Sequence, residues 1–461
     1  MSTAAENPRT LLSTGIRRIF VERLFGQFTY DLIDRDLPPR TATKLLMLYG
    51  DNGSGKTTIL RLLFFVLSHL DAQGHKTSAS NVRFKRFGVE FADGTTVVAE
   101  REQENLPHYL LSIMREGGAV AACEYPNPNP PDPSRMNVED YIRYGEQTAA
   151  REAAHREVLS ALKNLKLGTI YVTDDRRVLS TIPEMTGRGE SGHDMRVFMR
   201  SARRTTGEPP DRSAMSMAVE QISAWAARQA FRGSTQGEED VNSAYAEIMK
   251  RLANAPQFLT QITDSEKLIQ ALQEQGRRSP EFVRLGLMKP LKVDEIIADL
   301  RAADTPVRDT MVAVLEPYIT GLKARLDALE PVRTQLATFV DTMNSFYQNK
   351  HVELDISRGL TITAATGDLL PPSVLSSGEG QLLYLLASTL VAKERARLFI
   401  IDEPEISLNV KWQRHLLGAL LAITVDSDIQ FVLATHSIEL LTRYNKFVRD
   451  LENTQQLMFA L

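Results

Sequence analysis

A glycine-rich stretch that ends in lysine and threonine is the part of the sequence best suited to chemistry. Residues 50–57 read GDNGSGKT and match the pattern G-x-x-x-x-G-K-[ST] in full. Glycines let backbone N–H groups approach phosphate oxygens closely, because no Cβ atom stands in the way. Lys56 can bring a positive charge to the β- and γ-phosphates, and the Thr57 hydroxyl can bind Mg²⁺. We therefore predict a phosphate-binding loop, the P-loop, whose nucleotide contacts come from Asn52, Gly53, Ser54, Gly55, Lys56, Thr57 and Thr58.

Two carboxylates follow a second apolar stretch, near the other end of the chain. Residues 398–401 read LFII, and Asp402 and Glu403 come next. At the C-terminal end of a strand, Asp402 could hold Mg²⁺, usually through water, and Glu403 could act as general base on the attacking water. The alternative is a surface Asp-Glu pair that only ends a strand, and the presence of the P-loop makes it the weaker interpretation. The long separation from Lys56 predicts a large insertion between the two stretches.

Two further stretches carry residues that could contact an anion. Residues 375–381 read LSSGEGQ ahead of an apolar helical segment, and a Ser-Gly turn at a helix N-terminus can bind an anion. Residues 431–437 read FVLATHS, so that His436 follows an apolar strand. A lone histidine is more often structural than catalytic. The position of this one beyond Asp402, at the end of a strand, favours a catalytic role.

The elements that must position these residues follow from the hydrophobic periodicity. One predicted strand leads directly into the P-loop, and a predicted helix over 57–70 follows it. Asp93-Gly94 predicts a two-residue hairpin turn. The predicted strands cover 16–21, 28–33, 44–49, 87–91 and 95–100, and β character returns over 352–366.

The middle of the chain, over residues 214–350, is predicted to be mostly helical. Apolar residues from Met311 to Met343 recur mostly at spacings of three and four, which indicates one or two long helices. Pro317 and Pro331 are expected to kink or divide this segment. The apolar stripe is either the internal seam of a helical hairpin, which is the default, or a surface for a partner helix.

The composition bounds the class of protein. The chain has 461 residues, 43% hydrophobic and 24% charged, with a formal net charge of −4, so any nucleic-acid contact would need a local basic patch. The single cysteine, Cys123, excludes an intramolecular disulfide and a Cys-based zinc site. No stretch is long and apolar enough for a bilayer, and we expect a cytoplasmic protein. An Arg-rich stretch at 186–213 is expected to be a solvated loop, with a binding patch as the alternative.

Together these stretches resemble the ABC ATPases, and more closely the SMC/RecF-type heads. LSSGEGQ resembles the signature motif of that family, and His436 resembles its switch histidine. Residues 406–409 (ISLN) resemble the D-loop, with Asn409 where Asp or His is more usual. The resemblance implies ATP and Mg²⁺ as cofactors and an α/β fold, an ABC-type P-loop ATPase head with an inserted, mainly helical lobe. The implied domains are 1–185 and 351–461 for the two parts of the head and 186–350 for the lobe.

The resemblance also implies roles for individual residues. In that family the signature motif of one subunit caps the γ-phosphate held by the P-loop of another, so a homodimer or higher oligomer is implied. Residues 171–177 resemble a segment of this branch in which Arg176 or Arg177 faces the nucleotide or the lobe, and a plain strand-end arginine pair is equally open. Phe28 and Tyr30 are candidates for stacking on adenine. The implied site consists of Lys56, Glu403 and His436 as catalytic residues, Thr57 and Asp402 as Mg²⁺ ligands, and Ser377 and Gly378 from another copy. Gln381 is a further candidate for binding the nucleotide.

Three functions remain open at this point. The LSSGEGQ and DEPEISLN stretches resemble the ATPase subunits of the PARIS and Septu anti-phage systems. That resemblance implies a sensor or scaffold ATPase with a nucleic-acid or phage trigger and a separate effector protein, such as a TOPRIM or HNH nuclease. The second function is a RecF- or SMC-like DNA-repair ATPase that clamps duplex DNA. The third, the motor of a membrane transporter, is disfavoured by the long lobe, so no membrane partner is expected.

Overall fold

The chain divides into two compact units. Met1–Gly207 together with Ala392–Leu461 form one unit, here called the head, and Glu208–Val391 form the other, here called the insertion. The fold is mixed α/β, with a P-loop head and an inserted, mainly helical unit, which confirms the predicted fold class. Arg176 and the Arg-rich stretch at 186–213 lie outside the described residues. The computed structural model describes residues 11–33, 37–71, 73–116, 118–126, 138–175, 177–182, 218–233, 246, 248–250 and 265–451.

The strands and helices have the following bounds. The strands are β1 (Leu11–Leu12), β2 (Ile16–Leu24), β3 (Phe28–Ile33), β4 (Ala42–Thr43), β5 (Leu45–Tyr49), β6 (Arg86–Phe91), β7 (Thr96–Glu100), β8 (Tyr109–Arg115), β9 (Gly118–Tyr125), β10 (Thr169–Val172), β11 (Val178–Ser180), β12 (Lys350–Asp355), β13 (Gly359–Ala364), β14 (Leu369–Leu370), β15 (Leu398–Asp402), β16 (Gln430–Ala434) and β17 (Val448–Asp450). The helices are α1 (Lys56–Leu67), α2 (His75–Ser80), α3 (Val138–Asn164), α4 (218–233), α5 (Ser265–Arg284), α6 (Val293–Ala302), α7 (Thr305–Phe346), α8 (Ser377–Ala392), α9 (Val410–Ile423) and α10 (Ile438–Arg443).

The central sheet of the head brings the ends of parallel strands to one edge. Its strand order is β11-β10-β15-β16-β5-β17, in which β11 is antiparallel to β10 and the other neighbours are parallel. The inner strands β15 and β16 are buried along their whole length, which accounts for their continuous apolar sequences. Because the strands run in the same direction, the loops that follow β5, β10, β15 and β16 all leave from one edge of the sheet. Ligand sites of open α/β sheets lie at such an edge.

A second, antiparallel sheet completes the head. Its order is β3-β2-β6-β7-β8-β9, and the predicted hairpin at Asp93-Gly94 joins β6 to β7, with Gly94 at φ 83°. The sequence did not predict β8, β9 or α3. The inward-facing residues of β9 include the small Ala121 and Cys123, and α3 has a polar sequence without a clear apolar stripe. Both elements are stabilised by packing on one another, which hydrophobic periodicity does not reveal.

Helix α1 packs against both sheets and belongs to the main hydrophobic core of the head. It contacts β10, β15 and β16 of the central sheet and β7 of the antiparallel sheet. Apolar residues on most of its circumference are buried, as expected for a helix enclosed on several sides. At its C-terminal end, the Lys76 ammonium group donates to the carbonyls of Phe65 and Val66 at 3.0 and 2.6 Å. This contact satisfies carbonyl groups that the end of a helix leaves without intrahelical partners.

The insertion is built around α7, a helix of 42 residues. The predicted apolar stripe lies on its buried side and packs against α5 and α6, which makes it an internal seam of this unit. The helix continues through Pro317 and Pro331, so of the two expected effects of these residues, a kink or a division, the division does not occur. Each proline removes one backbone hydrogen bond, and the packing of the stripe offsets that loss. Within the described part of the chain, no helix is long and apolar enough to cross a membrane.

Candidate functional site

The P-loop joins β5 to α1 in the geometry that a phosphate-binding loop requires. Gly53 and Gly55 have φ angles of 83° and 93°, a region that favours glycine. A Cβ atom on Gly55 would also lie 2.7 Å from Cδ2 of Leu24, so the loop passes tightly over β2. Among the described residues, no side chain caps the N-terminus of α1, which begins at Lys56. The first N–H groups of this helix can therefore bind an anion.

The Lys56 side chain lies beneath this loop. Its Nζ atom donates to the carbonyl oxygens of Gly50 and Asp51 at 2.7 and 3.0 Å, and the residue is buried. Burial lowers the pKa of Lys56, while the neighbouring carboxylates of Glu403 and Asp402 act in the opposite direction and favour the charged form. The lysine and both acids predicted from the sequence therefore lie together, as the parallel strand order requires.

Asp402 is a buried carboxylate at the end of β15. Its Oδ2 accepts a hydrogen bond of 3.4 Å from the Tyr171 hydroxyl. Burial raises the pKa of Asp402 to about 6, and a hydrogen bond from Thr57 partly opposes that shift. Oδ1 is also buried and has no hydrogen-bond partner among the described residues. The sequence did not single out Tyr171, although the 171–177 segment was noted as a strand that ends in charges.

The Thr57 and Asp402 oxygens fit a Mg²⁺ ion. Mg²⁺ prefers hard oxygen ligands and is commonly held by one or two protein groups together with substrate phosphates and water. A hydroxyl beside a buried carboxylate with one oxygen still without a partner is such a donor set. Among the described residues there is no cluster of three or more His, Cys, Asp or Glu side chains that could hold a metal by itself. The site thus suits a metal that arrives with a nucleotide.

Glu403 and His436 face one another across the ends of β15 and β16. His436 Nε2 lies 3.4 Å from Glu403 Oε1, and both side chains are partly exposed. Glu403 has a φ angle of 47°, which is uncommon for a residue other than glycine, and its N–H donates to the carbonyl of Ala434 at 2.9 Å. The backbone thereby holds the Glu403 side chain at the edge of the sheet. This placement suits a base and a sensor that both reach a γ-phosphate.

Glu405 is a buried carboxylate that the sequence interpretation missed. Its Oε1 accepts hydrogen bonds from Thr435 Oγ1 at 2.6 Å, from His436 N at 2.7 Å and from Ser437 N at 3.0 Å. The loop that carries His436 is therefore held from the loop after β15. The third acidic residue in the DEPE stretch was a visible signal, but its target lies about thirty residues away along the chain.

The segment after β10 bears on the two interpretations of residues 171–177, a nucleotide- or lobe-facing arginine and a plain strand-end arginine pair. Arg177 Nε lies 2.8 Å from Asp175 Oδ2 in an exposed ion pair, which favours the plain strand-end role for this arginine. Asp174 instead lies 3.7 Å from Arg61 of α1. Tyr30, a candidate for stacking on adenine, is buried, and its hydroxyl donates to the Ser54 carbonyl at 2.9 Å. Tyr30 therefore supports the P-loop from below instead of offering a ring face, and Phe28 stacks on it.

The D-loop-like segment 406–409 leads into α9. Asn409 is the N-cap residue of that helix, since its side-chain oxygen accepts a hydrogen bond of 2.9 Å from Trp412 N. An asparagine is among the best residues at this position. Ser407 has a φ angle of 66°, so the segment bends sharply between the end of β15 and α9.

The LSSGEGQ stretch lies in the insertion, at the start of α8. Ser376 and Glu379 form a capping box, in which Ser376 N donates to Glu379 Oε2 at 2.7 Å and Glu379 N donates to Ser376 Oγ at 3.3 Å. The S-x-x-E spacing could have predicted this pair from the sequence. Ser377 is exposed, Gly378 is buried, and Gln381 is buried with its Oε1 lacking a partner among the described residues.

One family model matches part of the chain, and solved structures match most of it at low identity. Residues 364–442 match the family model described as "AAA domain, putative AbiEii toxin, Type IV TA system", a stretch that contains Ser377, Asp402, Glu403 and His436. No curated protein matches the chain. Among solved structures, the Smc head domain with an extended coiled coil from Pyrococcus furiosus, bound to the C-terminal domain of ScpA, matches at 12% identity with a TM-score of 0.36, over 93% of this chain and 91% of that one. The Smc head domain with a coiled coil and joint from Pyrococcus yayanosii matches at 13% identity with a TM-score of 0.35, over 93% of both chains.

Proposed function

We propose that the chain binds MgATP and hydrolyses it. The observation that carries this proposal is the convergence of Lys56, Thr57, Asp402, Glu403 and His436 at one edge of the central sheet of the head. Lys56 and Thr57 belong to the helix after the P-loop, Asp402 is the last residue of β15, and Glu403 and His436 lie just beyond β15 and β16. The family match over 364–442 supports an ATPase-type domain in the same region.

The residues have separate parts in the proposed reaction. Lys56 and the N-terminus of α1 bind the phosphates, and Thr57 with Asp402 would hold Mg²⁺, which when bound neutralises charge on the phosphate oxygens. Glu403 accepts a proton from water as the water oxygen bonds to the γ-phosphorus. The bond from that phosphorus to the bridging oxygen breaks, and ADP leaves with inorganic phosphate as the other product. His436 contacts the γ-phosphate and holds Glu403 in place.

Two copies of the chain would share each site. The proposed trans contacts are Ser377 and Gly378, and the exposed Ser377 at the start of α8 is free of the capping box beside it. The head also exposes apolar side chains around its own site. Ile438 is 73% exposed two residues after His436, Val410 is 52% exposed directly after the D-loop segment, and Phe25 lies beside Gly55 of the P-loop. Apolar side chains around a charged site favour a protein partner that covers them.

The proposed output is control of a separate effector in an anti-phage defence complex. The matched family is described as containing a putative toxin of a toxin–antitoxin system, and this supports a defence role over one in DNA repair. In this role the chain is an ATP-dependent sensor or scaffold, and a partner such as a TOPRIM or HNH nuclease carries the toxic activity. The purified chain alone should then not cleave nucleic acid. ATP-dependent binding of duplex DNA that weakens steeply with salt would instead support the repair-clamp alternative.

The shared site is tested by mixing two inactive variants. Lys56→Ala removes the P-loop charge, and Ser377→Arg blocks the trans contact, so each variant alone should have almost no ATPase activity. In a dimer of one copy of each, one site contains both defects and the other contains none. An equal mixture should therefore recover about a quarter of wild-type activity if the copies exchange freely.

Glu403→Gln provides the matching measurement of assembly. This variant should bind ATP without hydrolysing it and form a stable dimer, seen as a doubled mass by light scattering after gel filtration with MgATP. Lys56→Ala should stay monomeric under the same conditions. A Glu403→Gln protein that binds ATP but remains monomeric, together with mixtures that recover no activity, would show that the site is complete within one copy.

A further inference from the structure

A closed ring of hydrogen bonds joins the D-loop segment to the loop of the switch histidine. Glu405 Oε1 accepts from Ser437 N at 3.0 Å, and Ser437 Oγ donates to Gln413 Oε1 at 2.7 Å. Gln413 Nε2 in turn donates to the Leu408 carbonyl at 2.9 Å, and Leu408 N returns to the Glu405 carbonyl at 2.9 Å. Three side chains, Glu405, Gln413 and Ser437, thus link the backbone at 405–408 to the loop at 435–437.

We propose that Glu405 and Gln413 are positioning residues that make the D-loop segment 406–409 and the His436 loop move as one body. A change at the γ-phosphate that displaces His436 is then transmitted to the D-loop segment, which lies beside the exposed Val410 and would contact a second copy. This inference rests on the proposed function, since it gives the ATP site a connection to the dimer surface.

The charge of Glu405 is suited to holding the loop. Three donors converge on one carboxylate oxygen, and hydrogen bonds to an ionised acceptor are about twice as strong as neutral ones. Two of these donors, His436 N and Ser437 N, are backbone groups, so the contact fixes the path of the main chain on both sides of the histidine ring. The other carboxylate oxygen, Oε2, is buried and has no hydrogen-bond partner among the described residues.

The D-loop segment needs such support. Ser407 has a φ angle of 66°, a region in which a residue other than glycine is strained. The Leu408 peptide next to it is held on both sides, through its N–H by Glu405 and through its carbonyl by Gln413. Without these two contacts, the D-loop segment can relax while His436 stays in place. The D-loop segment and the His436 loop would then move independently.

The test is a pair of conservative variants with a matched control. Gln413→Leu keeps the size of the side chain but removes both of its hydrogen bonds, and Glu405→Gln keeps the shape but removes the charge. Glu439→Gln is the control, because Glu439 joins the same two helices, α9 and α10, through an exposed ion pair with Arg414 at 2.6 Å. For each variant, kcat and KM for ATP, the affinity for a fluorescent ATP analogue and the melting temperature are measured.

We expect kcat to fall about tenfold or more in Gln413→Leu and Glu405→Gln while KM changes less than about threefold, since the phosphate-binding residues are untouched. Glu439→Gln should keep wild-type values. Added to Glu403→Gln, the Gln413→Leu substitution should also shorten the lifetime of the ATP-bound dimer. A merely structural role would lower the melting temperature and leave both the kcat of the folded protein and the dimer lifetime unchanged.

Two outcomes separate this inference from the proposed function. If the wild-type protein hydrolyses ATP in a Lys56-dependent manner but Gln413→Leu and Glu405→Gln match the control, the coupling is refuted and the ATPase stands. If the wild-type protein has no ATPase activity, or Lys56→Ala leaves it unchanged, the proposed function itself is wrong. Should Glu405→Gln fail to fold, Gln413→Leu alone decides, because Gln413 lies on a helix surface and is only partly buried.

Discussion

Replacing Asp402 by asparagine should stabilise the nucleotide-free protein while it abolishes hydrolysis. Burial raises the pKa of this carboxyl from 3.8 to about 6, so the folded protein carries a charge in a place that disfavours it. A shift of about two pKa units corresponds to about 3 kcal/mol of unfolding free energy. Asparagine has nearly the same shape and can still accept hydrogen bonds from Thr57 and Tyr171. The stabilisation at pH 7.5 should therefore approach, and not exceed, about 3 kcal/mol.

The stabilisation by Asp402→Asn should increase with pH. Because the folded-state pKa of Asp402 lies above the unfolded one, between about pH 4 and pH 6 the folded chain keeps a proton that the unfolded chain releases. The wild-type protein therefore loses stability as the pH rises through this window, and above about pH 6 the whole cost is present. The difference between variant and wild type should be largest above pH 6 and close to zero near pH 4.

The assay is denaturant unfolding in EDTA without nucleotide. The chain has two tryptophans, and Trp412 lies in the head, so a Trp225→Phe background makes the fluorescence report on the head alone. Asp428→Asn serves as the control, since it makes the same chemical change at an exposed position. If Asp402→Asn is no more stable than wild type at pH 7.5, or is equally stabilised at pH 4, the buried-charge argument is wrong.

Three further changes have defined outcomes. Ile438→Glu places a charge on the exposed apolar surface beside His436 and should weaken ATP-dependent dimers at least tenfold, measured by analytical ultracentrifugation, with nucleotide affinity unchanged. Dimers of wild-type strength would show that this surface is not part of the interface. Ser376→Ala removes the hydroxyl from the capping box of α8 and should lower the stability of the insertion by about 1 kcal/mol, followed by Trp225 fluorescence. No loss would show that Lys350 and the Ser376 N–H hold Glu379 without the hydroxyl. Lys76→Met should flatten the pH dependence of head stability. Because burial lowers the pKa of Lys76 to about 7, the charged lysine destabilises the folded head increasingly as the pH falls from about 10.5 to 7. An unchanged slope would contradict the burial of this charge.

Much of the site could be predicted because its residues occupy short stretches with fixed local geometry. The P-loop specifies its own fold through glycines at positive φ, and Asp402 and Glu403 directly follow a strand whose apolar sequence indicates burial on both faces. The trans role of Ser377 and Gly378 stays a prediction. It concerns contacts with a second copy of the chain.

Other features depended on packing between distant parts of the chain. Helix α7 runs through Pro317 and Pro331 because its buried stripe is held by α5 and α6, and this support outweighs the local preference of proline. Strands β8 and β9 and helix α3 pack on one another with small or polar residues that give a weak periodic signal. Local propensity is a weak guide wherever tertiary contacts provide the stability.

The sequence by itself determined which chemical groups the protein has and which predicted strand each group follows along the chain. The period and length of each apolar stretch indicate a strand. A phosphate loop, an acidic strand end and a histidine strand end then lie at one edge of the sheet if these strands are parallel neighbours. Only the tertiary structure decided which side chains hold those groups in place. Tyr171 reaches Asp402, Tyr30 supports Ser54, and Glu405 binds the His436 loop across residues that lie far apart in the chain. A hydrogen bond between distant residues leaves no periodic trace in a single sequence, because it depends on distances that exist only once the sheet has formed.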